Sequence, residues 1–490
     1  MFRALASIGA IQIVIMLVGL VRSKVLSVLL GPAQFGVVST IDQTVMTIVT
    51  LSALSLPFTA LKFMSNTHSQ GHELFQRTYS SFLRTLSCLA VGGAIAAAAV
   101  LTFRPGLFGE DLAHYRQYLL VGVLAVPALA LHIFFVNTLA AAQASTASAG
   151  LSLAVSALLA AAAVIGAVTH GLAGLYVLSV TAGLVSTAMT LAYLRRRLGL
   201  RICSRAASIV RDLRENPEIV TQSAFFYAAM SAYALGMLAT RYVTFASLGE
   251  LQAGLLQAQM SLALTVGAVV APMSNLYLAP LVNRRNTVVA KMRAADDFAG
   301  KIAILLLFGA MPVVLFPRFA ITVLFSTAFA PAAQLLFLFI LWQCLFQIVY
   351  VYMQLLIGAD DVAFMTLATC ASYIVAGALF PVLIPIVGTA GAAIALIAGL
   401  AGAGTAAVLR LRLKFNCAVG SQTWCRSAYA LLVIVLGGML FPTASEWTRQ
   451  GITARVAYGI AATGVLLWKG LTNEERGVFR RTLSRAPAAT

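Results

Sequence analysis

The sequence predicts an all-α polytopic membrane protein of about 14 transmembrane helices, arranged as two six-helix lobes plus two C-terminal helices. Three observations predict it: an apolar composition, an alternation of connections rich in Lys and Arg with connections nearly free of them, and an internal repeat. Of 490 residues, 61% are hydrophobic and only 10% are charged, whereas soluble proteins carry about 25% charged residues. The net charge of +18 would suggest nucleic acid in a soluble protein, but here its placement follows membrane topology, so no nucleic-acid partner is expected.

The transmembrane helices are predicted from apolar stretches, since about 20 predominantly apolar residues are needed to cross a bilayer. The first stretch lacks an A-x-A-like cleavage site and is expected to remain as a helix. The six cysteines show neither metal-ligand spacing nor a disulfide framework. The predicted spans lie at about 5–30, 36–61, 82–103, 116–141, 148–169, 172–194, 219–246, 251–281, 299–316, 331–356, 362–384, 388–409, 427–442 and 454–470.

Lys and Arg collect in alternate connections, which the positive-inside rule assigns to the cytoplasm. The clearest case is the stretch 195–214 with its seven arginines, whereas the opposite connections hold very few basic residues. Both termini are therefore expected in the cytoplasm, and the Gly31–Gly36 turn is expected outside. Binding of anionic lipid is the functional alternative for the basic stretch.

The chain repeats itself at a nearly constant offset. Leu30-Gly31-x-x-Gln34-x-Gly36 recurs 218 residues later, and Gly171-x-Ala173-Gly174 recurs 217 residues later. Because six spans separate the copies, both halves have the same orientation, which predicts a parallel repeat about the membrane normal. The predicted domains are an N-lobe (1–197), a basic cytoplasmic linker (198–218), a C-lobe (219–414), and the last two spans with a tail (415–490).

Four charged residues within apolar helices are the candidate binding site. Arg22 and Lys24 lie on span 1, Asp42 on span 2 and Arg241 on span 7, all at similar predicted depth. A charge at the centre of a membrane helix costs about 2.5–3.5 kcal/mol on insertion scales, so a wet cavity is predicted around them. Arginine provides a planar fork for phosphate oxygens and lysine a point charge, which suits an anionic ligand. The alternative is that Arg22 and Lys24 reach the interface as topology anchors.

Asp42 has two interpretations: it neutralises one of the cations, or it titrates to couple transport to a proton or sodium gradient. No other cofactor and no metal site is expected. Other polar side chains are candidates for lining a cavity or binding sugar, with hydrogen-bonded packing as the alternative: His132, Asn137, Gln257, Asn275 and Tyr277. Prolines at related places in the two halves are candidate hinges, with ordinary membrane proline as the alternative: Pro57, Pro272 and Pro280.

Catalysis is not expected, because the outer connections are short and carry few acids, and no nucleotide loop or nucleophile–base pair stands out. The cationic first helix, the LGPAQFG motif at 30–36, its second-half copy and the YLAP helix end at 277–280 together resemble the polysaccharide-transporter branch of the multidrug/oligosaccharidyl-lipid/polysaccharide exporter superfamily. That resemblance implies two six-helix lobes around a central cavity with alternating access, in the bacterial cytoplasmic membrane.

The implied activity is that of a flippase for undecaprenyl-pyrophosphate-linked oligosaccharide repeat units, with Arg22, Lys24, Arg241 and Asp42 at the pyrophosphate. The implied partners are the lipid-linked oligosaccharide, the bilayer, and a polysaccharide polymerase with its export machinery. A lipid II flippase of the sister branch is the first alternative. A cation-coupled multidrug exporter is the second, although one acid among three cations argues against it.

Overall fold

The computed structural model describes residues 2–68, 70–104, 113–202, 217–268, 270–273, 287–441 and 443–466, together with Leu278 and Arg285. Helices form nearly all of these residues, and no strand occurs among them. The α-helices are α1 (Phe2–Ala53), α2 (Leu56–His68), α3 (His72–Phe103), α4 (Arg116–Val123), α5 (Val126–Ala141), α6 (Ser145–Arg197), α7 (Pro217–Ala268), α8 (Val270–Met273), α9 (Val288–Leu315), α10 (Pro317–Leu324), α11 (Leu336–Gly358), α12 (Val362–Val387), α13 (Thr389–Phe415), α14 (Ser421–Leu440) and α15 (Arg449–Val465).

Ten helical segments of the described chain are long and apolar enough to cross a membrane. Three of them, Ile11–Ala53, Thr146–Arg197 and Ile219–Ala268, are 43, 52 and 50 residues long, more than twice the roughly 20 residues of one crossing. Each contains a glycine with non-helical backbone angles near its middle, so each provides two crossings. With the shorter α15 the described helices agree with the fourteen predicted spans, and the protein is an all-α, multi-pass membrane protein.

The kink in α1 is shorter than the sequence suggests. A turn spanning Gly31–Gly36 is predicted, but Gly31 alone leaves helical geometry, at φ 67° and ψ 176°, and Pro32 already belongs to the next helix. Proline is favoured in a first helical turn because its missing N–H needs no partner there and its φ is already helical. Glycine adopts positive φ without steric strain, so a single residue is sufficient to reverse the chain.

The predicted repeat is confirmed by backbone geometry at the same offsets. Gly31 and Gly249 share ψ 176°, with φ of 67° and 82°. Gln143 and Asp360, which are 217 residues apart and differ in side chain, have φ of 57° and 60°. Few non-glycine residues adopt this left-handed geometry. Its recurrence in unlike residues therefore indicates a repeat of the fold and not a coincidence of glycines.

The break between α1 and α2 falls in the second predicted span. Leu54 and Ser55 have φ of 45° and 59°, and Pro57 follows within the first turn of α2. The break frees the carbonyls of the preceding turn, and side chains from other helices take them up. The Tyr227 hydroxyl donates to the Leu51 carbonyl at 3.2 Å, so the interruption is built into the packing.

The chain separates into two compact units. The first comprises Met1–Ala258, Val323–Phe329 and Val362–Gly399, and the second comprises Gln259–Thr322, Ala330–Asp361 and Leu400–Thr490. These units are defined by compactness, whereas the predicted lobes are defined by sequence repetition, so the predicted domain boundaries stay a prediction. Residues 203–216, most of the predicted linker, lie outside the described residues.

Each unit has its own apolar core. Side chains at most 2% exposed in the first unit include Ile41, Phe82, Phe134, Phe135 and Phe245. In the second unit they include Leu336, Phe339, Trp342, Leu355 and Leu356. The core of the first unit holds the helices that carry Arg22, Asp42 and Arg241.

Candidate functional site

Arg22 and Asp42 meet across the Gly31 kink of α1. The Arg22 Nη2 lies 3.4 Å from the Asp42 Oδ2, and their side chains are 35% and 41% exposed. The two residues are 20 positions apart, and the chain reversal at Gly31 brings them together. The predicted pairing of these charges is therefore present, in a loose form with one long contact.

A cavity of about 220 Å³ contains this ion pair. It lies between α1, α4, α5 and α6 and includes Tyr176 in its lining. The Tyr176 hydroxyl lies 3.3 Å from the Val38 carbonyl and 3.5 Å from the Asp42 Oδ1. Sequence reasoning missed Tyr176, because one tyrosine in an apolar helix does not differ from a packing residue until its neighbours are known.

The Arg22 guanidinium is under-used as a donor. Arginine carries five N–H donors, and the Arg22 Nε is buried with no hydrogen-bond partner among the described residues. A buried, unpaired donor of this kind is costly, because its hydrogen bond to water has been lost and not replaced. An anion that enters the cavity can restore that bond, since phosphate and carboxylate oxygens match the guanidinium fork.

Arg241 lies on α7 and is more completely bonded. Its Nε and Nη2 donate to the Gln257 Oε1 at 3.1 and 2.9 Å, and its Nη1 donates to the Met237 carbonyl at 3.1 Å. The residue is 6% exposed. The Gln257 side-chain amide therefore serves as an acceptor for Arg241. A sugar-binding role for Gln257 stays a prediction.

The other predicted site residues are dispersed. Lys24 is half-buried and is not part of the lining of the cavity around Arg22, as far as the described chain shows. His132 is half-buried on α5. The Asn137 Nδ2 donates to the Pro57 carbonyl at 3.0 Å, a bond that supports the break between α1 and α2. The side chain of Pro272 is not described, and three predicted residues lie outside the described chain: Asn275, Tyr277 and Pro280.

The two copies of the repeated glycine motif pack directly on each other. A β-carbon at Gly36 would lie 2.6 Å from the Gly254 nitrogen, and one at Gly254 would lie 2.7 Å from the Pro32 carbonyl carbon. Real Cβ atoms do not come so close, so both positions require glycine. The first glycine of each motif copy forms the kink, and the last allows the backbones of the two copies to cross in close contact. Because each copy contributes one glycine to this crossing, the glycine is needed in both.

Tyr115 lies beside this crossing. Its hydroxyl donates to the Glu250 carboxylate at 2.6 Å, and Glu250 follows the Gly249 kink. Burial, together with the hydrogen bond to Glu250, raises the pKa of Tyr115 to about 12. The hydroxyl therefore stays protonated and keeps donating at neutral pH.

Among the described residues, no group of three or more His, Cys, Asp or Glu side chains is placed to hold a metal ion. The polar side chains in the lining of the cavity are a guanidinium, a carboxylate, a phenol and the Ser179 hydroxyl. Paired repeats, fourteen crossings and a charged cavity within apolar helices define a polytopic membrane protein with the architecture of a transporter.

The chain belongs to the polysaccharide biosynthesis protein family, which matches residues 2–285. The predicted family is thereby confirmed. No curated protein sequence matches the chain.

Solved structures share the fold. A structure described as "Lipid II flippase MurJ, inward closed conformation" has a TM-score of 0.70 at 13% identity, covering 98% of this chain and 99% of that chain. An inward-facing multidrug resistance transporter of the MATE family and MOP superfamily has a TM-score of 0.63 at 13% identity, covering 84% and 94%. A MOP-superfamily transporter from Pyrococcus furiosus, described as having a binding pocket of reverse polarity, has a TM-score of 0.58 at 13% identity, covering 84% and 95%.

Proposed function

We propose that the protein is a flippase that moves undecaprenyl-pyrophosphate-linked oligosaccharide repeat units from the inner to the outer leaflet of the bacterial cytoplasmic membrane, for surface or exopolysaccharide synthesis. The observation that carries the proposal is the under-bonded Arg22 guanidinium in a cavity between apolar helices. The family match supports a role in polysaccharide biosynthesis. The protein acts by transport and not by catalysis.

The pyrophosphate is the part of the cargo that this cavity suits. The Arg22 Nε has no partner among the described residues, and Asp42 holds the guanidinium by one long contact that an incoming anion can replace. Arg241, which is held by Gln257, and Lys24 are the other cations proposed to act on the pyrophosphate, although neither is in the lining of the cavity around Arg22. Because the pyrophosphate is common to carriers with different glycans, a site that reads phosphate tolerates a variable sugar.

Alternating access fits the glycine crossing. Gly36 and Gly254 let two motif copies approach at backbone distance, which closes that end of the helices tightly. We place this end on the outer face, because the basic connections lie at the opposite helix ends. Opening the crossing releases the cargo outward, with the breaks at Gly31, Gly249 and Leu54–Ser55 absorbing the motion.

Two other cargoes remain candidates because proteins that carry them share the fold. A lipid II flippase would use the same pyrophosphate chemistry, whereas a multidrug exporter for cations would need a cavity dominated by acids. The one acid in the lining of the cavity around Arg22 is already paired with that arginine, whereas the Arg22 Nε has no partner among the described residues, which favours an anionic group over a drug cation. Coupling to a proton or sodium gradient through Asp42, and contact with a polymerase and export machinery, belong to the same proposal.

The decisive experiment replaces both cluster arginines. Arg22→Ala/Arg241→Ala should abolish surface polysaccharide per unit of membrane-localised protein, with lipid-linked sugar accumulating in the inner leaflet. A control that removes the same charge from exposed positions, Arg195→Ala/Arg196→Ala, should export normally. Wild-type export by the first variant would refute the proposed cluster.

The cargo is identified by reconstitution. Purified protein in liposomes is given lipid-linked repeat unit, lipid II or a cationic dye, and movement of each across the bilayer is followed. Movement of the repeat unit alone supports the proposal, and preferential movement of lipid II would establish the alternative.

Membrane orientation is tested by cysteine labelling. Gln34→Cys, at an exposed position beside the crossing, should react with an impermeant reagent added from outside, and Arg196→Cys should not. The reverse pattern would overturn the proposed topology.

A further inference from the structure

A second cavity of the first compact unit lies between α1, α2, α5 and α7 and has a volume of about 360 Å³. Small-molecule sites have volumes of about 300–1,000 Å³, so this one suits a single small group such as one pyranose ring. Met46 lines both this cavity and the one that holds Arg22. The side chains that bear on its chemistry are Gln43, Thr50, Ser55, Phe58, Tyr227 and Tyr233.

The Ser55 hydroxyl is a polar group in the wall of this cavity that lacks a hydrogen bond to the described residues. The residue is 7% exposed, and its Oγ has no hydrogen-bond partner among the described residues, although it lines the cavity. Buried hydroxyls are nearly always hydrogen-bonded, so this Oγ indicates a partner that the described residues do not supply.

The missing hydrogen bond of Ser55 is unusual for its position, because a serine before a helix normally caps that helix. Ser55 directly precedes α2, and its carbonyl accepts the amides of Phe58 and Thr59 at 3.0 and 3.1 Å. A serine in this N-cap position usually accepts a hydrogen bond with its hydroxyl from the second or third amide of the helix, and since Pro57 has no N–H, the amide of Phe58 is the donor available here. Here φ is 59°, a strained value for a non-glycine residue, and the hydroxyl has no hydrogen-bond partner within the described part of the chain. The strain and the lost cap bond occur together at the cavity wall.

The other walls supply a platform and further polar groups. Phe58 is 49% exposed and lines the cavity, and an aromatic ring offers a rigid, flat apolar surface. The Gln43 Nε2 makes a long 3.5 Å hydrogen bond to the Thr47 hydroxyl. An apolar face beside scattered hydroxyl and amide groups matches a sugar ring, which has an apolar face and a polar rim. An acyl or prenyl chain would leave the Ser55 hydroxyl unpaired.

We propose that this cavity is a sugar subsite, in which the Ser55 hydroxyl hydrogen-bonds a hydroxyl or amide of the first sugar after the pyrophosphate and Phe58 packs against the ring. The shared Met46 puts the subsite next to the Arg22 cavity, where the pyrophosphate is placed. The inference rests on the proposed transport of a lipid-linked glycan. It adds a preference for glycosylated over bare carrier lipid.

The test measures binding of three probes to purified protein in nanodiscs: undecaprenyl pyrophosphate, and the same lipid bearing one glucose or one N-acetylglucosamine. The wild type should bind at least one glycosylated probe more tightly than the bare lipid. Ser55→Ala should weaken binding of that glycosylated probe by about three- to tenfold, the loss of one neutral hydrogen bond, and leave the bare lipid unchanged. Ser148→Ala is the matched control, since Ser148 is equally buried at 7% but its hydroxyl bonds the Val136 carbonyl at 3.0 Å.

Ser55→Gly separates ligand binding from folding. Glycine tolerates positive φ, so this variant should be at least as heat-stable as the wild type and still lose the preference for the glycosylated probe. Equal binding of bare and glycosylated lipids by the wild type, or an unchanged preference in Ser55→Gly, would overturn the sugar subsite. Failure of the wild type to bind any of the three probes would instead count against the proposed function.

Discussion

Two ionic clusters, one in each compact unit, use the same residue types in opposite ways. Arg22 and Asp42 share one 3.4 Å contact, and both side chains are more than a third exposed. The Arg22 Nε has no hydrogen-bond partner among the described residues. Asp361, on the α11–α12 connection, is 6% exposed and accepts from the Arg410 Nε at 2.8 Å, the Arg410 Nη2 at 3.3 Å and the Lys414 Nζ at 3.0 Å.

The difference distinguishes a cluster that can bind a ligand from a cluster that stabilises the fold, here called the brace. In the Asp361 cluster the acid is buried and fully engaged, so the charges hold the connection after α11 to the C-terminal end of α13. In the Arg22 cluster the donors are incompletely used beside a cavity, so the charges are available to a ligand. Within apolar helices the degree of hydrogen-bond saturation is thus more informative than the presence of charge.

The largest expected effect comes from removing one arginine from each cluster. Arg22→Ala should lower transport per folded protein by about 10- to 100-fold, the value of one charge-assisted hydrogen bond, without loss of membrane-localised protein. Arg410→Ala should leave transport per folded protein near normal and lower thermal stability in detergent. The two variants are compared by transport assays normalised to the amount of protein on quantitative blots, and by thermal unfolding scans. Equal transport defects in both variants would contradict the proposed difference between the clusters.

The second effect is on stability. Asp361→Ala removes the shared acceptor of Arg410 and Lys414 and should destabilise the fold by about 1–3 kcal/mol. Asp42→Asn, which keeps the shape of a loosely bonded acid, should cost much less stability. Its effect on transport distinguishes a structural acid from a titrating one, because only the titrating acid loses function on amidation.

A smaller effect tests geometry at constant charge. Arg22→Lys keeps the cation but loses the planar fork, so transport should fall about three- to tenfold and remain above that of Arg22→Ala. Arg410→Lys, in the brace, should change transport little. Full activity of Arg22→Lys would mean that the cavity reads charge without a bidentate contact.

The smallest effect is on pH dependence. The hydrogen bond from Arg410 holds the pKa of Asp361 below its usual range, with Lys414 acting in the same direction. Because the folded pKa lies below the unfolded value near 4, the stabilisation is complete above that value and is lost as pH falls through the folded pKa. The difference in unfolding temperature between wild type and Asp361→Asn should therefore be constant near neutral pH and shrink below about pH 4. A gap that grows on acidification would contradict this assignment.

The sequence by itself determined the crossings, the repeat and the identity of the charged residues in apolar helices. Span length follows from the thickness of a bilayer and the repeat from identities at a fixed offset, and neither depends on which helices touch. Gly31 was recognisable as a break, although the predicted turn through Gly36 proved to be one residue followed by an N-terminal proline. Gly36 itself is conserved within the repeat for a reason visible only in three dimensions, the close contact with Gly254.

Only the tertiary structure decided which polar groups are satisfied. Arg22 and Arg241 look equivalent in sequence, yet Gln257 saturates much of one guanidinium while the other keeps a buried, unpaired Nε within the described chain. Tyr176 and Ser55 carry no sequence signal, because a single tyrosine in an apolar helix looks like a packing residue and a lone serine hydroxyl usually bonds the nearby backbone. Whether such a hydroxyl is hydrogen-bonded depends on the local backbone angles and on side chains from distant helices. Only the packing of the helices brings those side chains close to it.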